Sequence, residues 1–314
     1  MKYAFAVDIR GAWIRLAYLN EEGCFLDKWT VETPHGQGTN RMLSTVAEQI
    51  EGYMAEKGIF EDDVAGIGVG IPGPVNSSGT VNKCVNLGWG MFNIDRALSG
   101  LTGLPVAATN IANAAALGEC WLGSGKGCRN LFYVAVNTGV GGAIIANGQL
   151  ITGAHGGGGE IGHMIINRQE TESCTCGNRG CLEQYCSPTG IVRVAKRHLQ
   201  SCTTPSPLRL KRNLTYEDVF AAAEKGDRAA KEILDKVYSY TGEMIANVCS
   251  VTNPDTVILG GELVRFGRSI VEGIGKQFHK FVFHANREVR FELASLGEDA
   301  PLYGAARLVL DREK

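Results

Sequence analysis

Two stretches of the chain, residues 3–19 and 131–146, repeat one local pattern. Each is an apolar run typical of a β-strand, followed by a turn that contains glycine and then by a second apolar run. A strand, a tight turn and a returning strand are suited to presenting backbone N–H groups to a phosphate group. The repetition predicts that the chain contains the same structural unit twice.

The segments between and after these stretches alternate between helical and strand-like patterns. Residues 41–57 have helical spacing, and residues 64–71 form a buried-strand run that ends at Pro-Gly-Pro. Asp95 lies near the start of a helix, which it is expected to cap. Because strands alternate with helices, the fold class is α/β. The remaining predictions are a strand at 256–259 and helices at 113–121, 189–198, 215–225, 228–251, 267–281 and 303–312.

Charge and hydropathy exclude several classes of partner. The chain has 31 Lys+Arg and 33 Asp+Glu, a formal charge of −2, and no run of five basic residues, so nucleic acid is not an expected partner. An acidic residue at Asp8 comes too early for a signal peptide, and no run approaches the ~20 apolar residues of a membrane span. We expect a cytoplasmic protein with no membrane partner, long enough at 314 residues for two lobes.

Three of the ten cysteines lie close together, at Cys174, Cys176 and Cys181. The two glycines between the last two allow the tight turns that bring thiols to one ion. A closed tetrahedral site needs a fourth ligand, and His163 is the nearest histidine upstream. A Cys₃His set suits Zn²⁺ better than a hard cation, and four protein ligands make the zinc structural. The alternative is three reduced thiols that are neighbours by coincidence.

With this cluster, the chain resembles the ROK family of sugar kinases (repressors, open reading frames, kinases). The resemblance runs from Asp8 to Gly304-Ala305-Ala306 and implies an actin/hexokinase-like (ribonuclease H-like) duplicated α/β fold with two lobes and a central cleft. The implied domains are 1–121, 122–302 with the zinc loop, and a last helix, 303–314, that packs back on the first lobe. The segments that carry the resemblance are the glycine signature from Gly139 to His163, the knuckle ending at Glu183, and residues 71–75 and 86–89.

The resemblance implies a sugar site. Carboxylates and amides can bind vicinal hydroxyl groups in pairs, and a zinc-bound histidine keeps its other ring nitrogen as a donor. The implied ligand is a hexose or N-acylhexosamine, with glucose as the default. The residues that correspond to the family's sugar site are Gly73, Asn110, Glu160, His163 and Glu183.

The resemblance also implies a site for ATP and Mg²⁺, with Asp8 as the carboxylate on the magnesium side. The sequence departs from the family there: Arg10 replaces a glycine, Ala12 replaces a threonine, and Asn137 replaces a glycine of the second turn. Arg10 lies where the backbone should approach a phosphate closely, a place that favours glycine. The full implied set is Asp8, Arg10, Gly11, Ala12, Thr138, Gly139, Gly260 and Gly261.

Ile111 is the departure with the largest chemical consequence. In the family, the residue after the matching Asn110 is an aspartate, the general base that takes the proton from the sugar's 6-hydroxyl group as its oxygen attacks the γ-phosphate. Isoleucine cannot accept a proton. We interpret the chain as a homologue that binds a sugar but phosphorylates it poorly. The alternative is an active kinase in which another carboxylate substitutes for the base or Arg10 contacts phosphate.

Regulatory functions remain a further hypothesis. A catalytically impaired homologue can act as a sugar sensor or regulatory subunit. Repressors of the family carry a winged-helix DNA-binding segment before the first phosphate turn, whereas only seven residues precede Asp8 here. We therefore consider a DNA-binding regulator a weaker hypothesis than a sugar kinase or a catalytically impaired sugar-binding protein. By resemblance to the family, we also expect a homodimer.

Overall fold

The computed structural model describes residues 1–34, 38–84 and 87–311. Contacts group them into two units: one holds Met1–Cys128, Ala143–Gly159 and the chain from Ser295 onward, and the other holds the rest. Asn86, from a family-like segment, and Arg312, the end of the last predicted helix, lie outside the described residues. The predicted boundaries at 121 and 302 stay a prediction.

The first unit is built on a five-stranded mixed sheet with the strand order β3-β2-β1-β4-β7. Strand β1 is antiparallel to β2 and parallel to β4, and β4 is parallel to β7. A short pair, β5 and β6, is separate from this sheet. The elements are β1 (Tyr3–Ile9), β2 (Trp13–Asn20), β3 (Phe25–Glu32), α1 (Gly38–Lys57), β4 (Val64–Ile71), β5 (Thr80–Val81), β6 (Phe92–Asn93), α2 (Ile94–Thr102), β7 (Val106–Asn110) and α3 (Ile111–Leu122).

A second five-stranded sheet contains the other predicted copy. Its order is β10-β9-β8-β11-β12, with β8, β11 and β12 parallel and β10 antiparallel to β9. Its strand order therefore repeats that of the first sheet, which confirms the predicted duplication. The elements are β8 (Leu131–Val136), β9 (Val140–Ala146), β10 (Gln149–Leu150), α4 (Glu183–Cys186), α5 (Pro188–Ser201), α6 (Tyr216–Glu224), α7 (Arg228–Thr252), β11 (Thr256–Gly261), α8 (Arg268–Phe281) and β12 (Arg290–Leu293).

The chain's last described helix, α9 (Ala300–Leu310), completes the core of the first unit. Side chains of β1 alternate between the two faces of the sheet. Phe5 and Val7 belong to the large cluster that includes α1, whereas Ala4 and Ala6 pack with α9. The small alanines of β1 thus define the face on which the last helix lies.

Helices α3 and α9 approach so closely that only glycine fits at two positions. A Cβ atom on Gly304 would lie 1.6 Å from the carbonyl oxygen of Ala114, and one on Gly118 would lie 2.2 Å from that of Ala300. No side chain can occupy such positions without moving a backbone. This contact gives a packing reason for Gly304 in the family-like segment at the end of the chain.

One predicted helix cap is wrong. Asn93, not Asp95, caps α2: its side-chain oxygen accepts a hydrogen bond from the backbone N–H of Arg96. Asp95 lies two residues past the cap, and its carboxylate instead accepts from the backbone N–H of Ala108 on β7, at 2.9 Å. None of the helices in the described part of the chain has the length and apolarity needed to cross a membrane.

Candidate active site and metal centre

The turn between β1 and β2 is held in shape by Thr33. The Thr33 hydroxyl group donates to the carbonyl oxygen of Arg10 at 2.8 Å, and its backbone N–H donates to that of Ala12 at 3.2 Å. The Arg10 N–H donates to the carbonyl oxygen of Trp13. These bonds use the carbonyl groups of Arg10 and Ala12, while the N–H groups of Gly11 and Ala12 have no hydrogen-bond partner among the described residues. The sequence analysis did not single out Thr33, which lies 23 residues from its partner.

Asp8 is paired with Arg10. Its side chain is fully buried, and the Arg10 Nε lies 3.3 Å from Oδ1 and 3.1 Å from Oδ2. The guanidinium carbon of Arg10 lies 4.8 Å from the ring centroid of Trp13. Burial raises the pKa of the Asp8 carboxyl group, and the positive charge of Arg10 opposes that rise. Arg10 therefore acts as the counter-ion of a carboxylate that has no access to water.

Asn110 and Ile111 form the start of α3. The Asn110 side chain caps the helix, since its Oδ1 accepts from the Ala112 N–H at 2.7 Å, and its Nδ2 donates to the carbonyl oxygen of Gly73 at 3.2 Å. Ile111 is the first residue of the helix and is half-buried. The structure thus brings together three predicted site residues, Gly73, Asn110 and Ile111, and gives Asn110 a capping role as well.

In the second unit, Glu183 is tied to the turn after β8. Its Oε2 accepts from the backbone N–H of Val140 at 3.0 Å, and a Cβ atom on Gly139 would lie 2.3 Å from the same oxygen. A glycine at position 139 therefore leaves the space that the Glu183 carboxylate needs to reach the Val140 N–H. The neighbouring Thr138 belongs to the same turn.

The glycines at the end of β11 lie beside that turn. In the parallel pairing of β8 and β11, Gly261 is opposite Val136. Gly261 has a φ of 76°, and a Cβ atom there would lie 2.3 Å from the Val136 carbonyl oxygen, while one on Gly260 would meet the Tyr133 hydroxyl group at 2.1 Å. Both glycines are required for packing. The two predicted nucleotide turns of the second unit are thus neighbours.

Glu160 and His163 flank a short 3₁₀ turn, in which the His163 N–H donates to the Glu160 carbonyl oxygen at 3.1 Å. Glu160 is half-buried, and burial raises the pKa of its carboxyl group. The interaction with His163 opposes that rise, and the nearby Glu183 carboxylate adds to it. The pKa of Glu160 therefore depends on both His163 and Glu183, the other two predicted sugar residues of the second unit.

The predicted metal ligands converge. The ligand atoms of His163, Cys174, Cys176 and Cys181 all lie within 4.8 Å of one another. The Cys176 and Cys181 sulfurs are 3.6 Å apart, and the Cys174 sulfur is 3.9 Å from His163 Nδ1. A tetrahedral zinc ion with Zn–S bonds of about 2.3 Å requires sulfur–sulfur separations of about 3.8 Å. The donor set and its spacing therefore fit Zn²⁺.

Gln184 supports this cluster from the chain's next helix. Its Oε1 accepts from the backbone N–H groups of Gly180 and Cys181, at 2.8 and 3.1 Å, and its Nε2 donates to the Glu172 carbonyl oxygen. Such contacts fix the orientation of metal ligands. The sequence analysis missed Gln184, whose position directly after Glu183 was the only available signal.

Glu170 anchors the segment that leads into the cluster. Its side chain is 1% exposed and lies 2.8 Å from Arg197 NH1 and 2.5 Å from Arg193 NH2. It also accepts from the Tyr185 hydroxyl group at 2.5 Å. The hydrogen bond from Arg197 is the main cause that holds the pKa of the Glu170 carboxyl group well below its usual range. The signal available in the sequence was the spacing of the two arginines, which lie four residues apart and therefore on the same side of α5.

We expect Glu170→Gln to lower the free energy of unfolding at neutral pH by about 1.5–3 kcal/mol, because it removes the charge of a buried carboxylate that both arginines and the Tyr185 hydroxyl group contact. Since the folded-state pKa is depressed, this contribution is complete above the unfolded-state pKa of about 4.3 and is lost as pH falls toward the folded-state value. Urea unfolding at pH 7 and pH 4 would measure both effects. The matched control is Glu172→Gln: Glu172 pairs with the same arginines but its side chain is 64% exposed, so we expect a loss of about 1 kcal/mol or less. Equal losses for the two variants would contradict the prediction.

The sequence model of the ROK family matches residues 4–312, and the chain belongs to the ROK family. The glucokinase of Halalkalibacterium halodurans is 34% identical to this chain, and the alignment covers 99% of this chain and 96% of that one. The xylose repressor of Caldicellulosiruptor bescii is 30% identical, over 88% of this chain and 70% of that one. The crystal structure of a ROK family glucokinase from Streptomyces griseus, in complex with glucose and AMPPNP, is 29% identical, has a TM-score of 0.77 and covers 98% of each chain. The chain is therefore glucokinase-like.

Proposed function

We propose that this protein binds a hexose or N-acylhexosamine and that its phosphorylation of the sugar's 6-hydroxyl group is impaired. The observation that carries the proposal is Ile111 at the start of α3, directly after the fixed side chain of Asn110. A hydrocarbon side chain there can neither take a proton from a hydroxyl group nor accept a hydrogen bond from it. Because Asn110 still caps the helix, the local fold is kept while the general base is missing.

The proposed sugar contacts keep their chemistry. Glu160 and Glu183 offer carboxylate oxygens and His163 offers a ring nitrogen, and all three interact electrostatically. Gly73 and Asn110 are joined by a hydrogen bond in the first unit. The glucose bound by the Streptomyces griseus relative supports a hexose as the ligand. Glucose is therefore the first sugar to test, followed by N-acetylated hexosamines.

We propose that His163, Cys174, Cys176 and Cys181 hold one structural Zn²⁺. When bound, the ion would act by holding four ligands, with no coordination position left for a reacting water. Cys181 lies two residues before Glu183, and His163 lies three residues after Glu160. Fixing these ligands would therefore fix both carboxylates, a positioning role for the metal rather than a chemical one.

An active glucokinase-type enzyme is the second candidate, favoured by the similarity to the Halalkalibacterium halodurans glucokinase. It requires another carboxylate to take the proton in place of Ile111. In that case ATP and Mg²⁺ would be bound, with Thr138, Gly139, Gly260 and Gly261 on the nucleotide side. In either case we propose a homodimer, by analogy with the family.

Calorimetric titration of the unmodified protein with a hexose panel, with and without ATP and Mg²⁺, tests the proposal when combined with chromatographic analysis of products. We expect saturable sugar binding and little sugar phosphate over many hours. Steady formation of a hexose 6-phosphate would show that another group takes the proton and would favour the second candidate. Absence of binding to any hexose or N-acylhexosamine would refute the sugar site itself.

A further inference from the structure

The β1–β2 turn carries an ion pair at the position where the resemblance implies Mg²⁺. Hydrated Mg²⁺ demands near-octahedral oxygen ligands and keeps several waters. Asp8 is fully buried and already has a guanidinium group 3.1 Å from its carboxylate. A second cation at this carboxylate would lie against Arg10 without room for its waters. The residues present therefore do not fit Mg²⁺ at Asp8.

Only one nitrogen of Arg10 is used by Asp8. Both recorded contacts involve Nε, and the terminal amino groups NH1 and NH2 have no partner among the residues that the structure describes. The guanidinium group lies over the Trp13 ring, and 30% of the Arg10 side chain is exposed. A guanidinium fork of this kind is suited to two parallel hydrogen bonds with a phosphate group.

The backbone beside Arg10 adds further donors. Gly11 and Ala12 are exposed, and within the described ranges neither backbone N–H has a hydrogen-bond partner. Thr33 donates hydrogen bonds to the carbonyl oxygens of Arg10 and Ala12. These two acceptors, which would repel an anion, are therefore already hydrogen-bonded within the protein. Successive free N–H groups in a turn form a concave anion-binding surface.

We propose that Arg10 takes the place of a divalent cation at Asp8, and that this turn binds a phosphate group through Arg10, Gly11 and Ala12 without metal. The inference rests on the proposed function in that the phosphate belongs to a donor or product of the sugar reaction. It differs from that function because it concerns metal dependence and involves no sugar contact. The chemistry recognised is a phosphate group, whether from a nucleoside triphosphate, an inorganic polyphosphate or a sugar phosphate.

The test compares binding of ATP, inorganic tripolyphosphate and glucose 6-phosphate by the intact protein, by calorimetry, in magnesium-free buffer without a chelator and in the same buffer with Mg²⁺. We expect at least one of them to bind without Mg²⁺, with no gain in affinity on adding Mg²⁺, and the one that binds identifies the source. Binding that requires Mg²⁺, or binding of none under either condition, would overturn the inference. A parallel hexose titration reports on the proposed function separately, because no sugar contact involves this turn.

Variants assign the effect to Arg10. We expect Arg10→Gly to lower the metal-free affinity by about 10- to 100-fold, the loss of hydrogen bonds to a charged group. Because this variant frees Asp8, Mg²⁺ should then raise both its phosphate affinity and its melting temperature, whereas the melting temperature of the unmodified protein should not respond. Arg10→Gly binding as tightly in magnesium-free buffer as the unmodified protein would contradict the assignment.

Two further variants keep the test decisive if Arg10→Gly does not fold. Arg10→Lys retains the charge beside Asp8 but lacks the fork, so its metal-free affinity should fall while Mg²⁺ still gives no gain; an unchanged affinity would count against the fork. Arg15→Gln is the matched control, since Arg15 pairs with Asp299 and lies on β2 two residues after Trp13, with its guanidinium carbon 5.9 Å from the Trp13 ring centroid. Its metal-free affinity should be retained, and a loss equal to that of Arg10→Lys would indicate a general charge effect instead.

Discussion

Ile111→Asp is expected to raise the rate of hexose phosphorylation by roughly 10²–10⁴-fold, the range that general-base catalysis contributes. Asn110 would still cap α3, and an aspartate in the first turn of a helix interacts favourably with the positive end of its dipole. The variant should therefore fold as well as the unmodified protein. A coupled assay of ADP release with the hexose that binds best would measure the rate.

Ile111→Asn is the matched control for this experiment. Asparagine has the same shape as aspartate and can bond to a hydroxyl group, but it cannot take its proton at neutral pH. We expect sugar affinity in both variants to stay close to that of the unmodified protein, with the rate gain confined to aspartate. Equal rates in the two variants would mean that polarity at position 111, not proton transfer, was limiting. No gain in either would locate the defect elsewhere, with the Arg10 turn as the next position to change.

Loss of the metal cluster is expected to have the largest effect on stability. We expect about one Zn²⁺ per chain by plasma emission spectrometry, and loss of that zinc in Cys181→Ser. Structural zinc in small peptides contributes about 10–16 kcal/mol, an upper bound for a loop attached to a larger core. The Cys181→Ser variant should melt well below the unmodified protein and should lose hexose affinity, because Glu160 and Glu183 flank the ligands.

Cys24→Ser controls for the loss of a thiol as such. Cys24 is exposed and lies outside the cluster, so its substitution should leave zinc content, melting temperature and sugar binding unchanged. Adding a chelator to the unmodified protein should reproduce the Cys181→Ser result. Purified protein without zinc, or Cys181→Ser with full zinc content, would refute the metal assignment.

Local patterns explain what could be predicted from the sequence. Three of the four residues of the cluster lie within one short loop, so their convergence depends on few backbone angles, and the predicted grouping of the four side chains is confirmed. The duplicated strand order follows from apolar runs that need no knowledge of distant partners. The sugar and nucleotide roles of the predicted site residues stay predictions.

Long-range and rotamer-dependent features could not be predicted. Arg10 was recognised only as a lost glycine, because its pairing with Asp8 depends on which way its side chain turns after the strand ends. No local pattern indicates that Thr33 holds the same turn, and the contact of Glu183 with the Val140 N–H joins positions 43 residues apart. Such contacts are decided by tertiary packing, which a single sequence does not encode locally.

The place of α9 in the first unit has a consequence for the order in which the chain folds during synthesis. Ala4, Ala6 and Leu19 leave the ribosome long before residues 300–310, which cover the face that they form. Most of the second unit, residues 160–294, emerges earlier as one continuous stretch and can fold as it appears. The first sheet therefore waits for α9, and one of its apolar faces stays exposed to chaperones and proteases until that helix has been made.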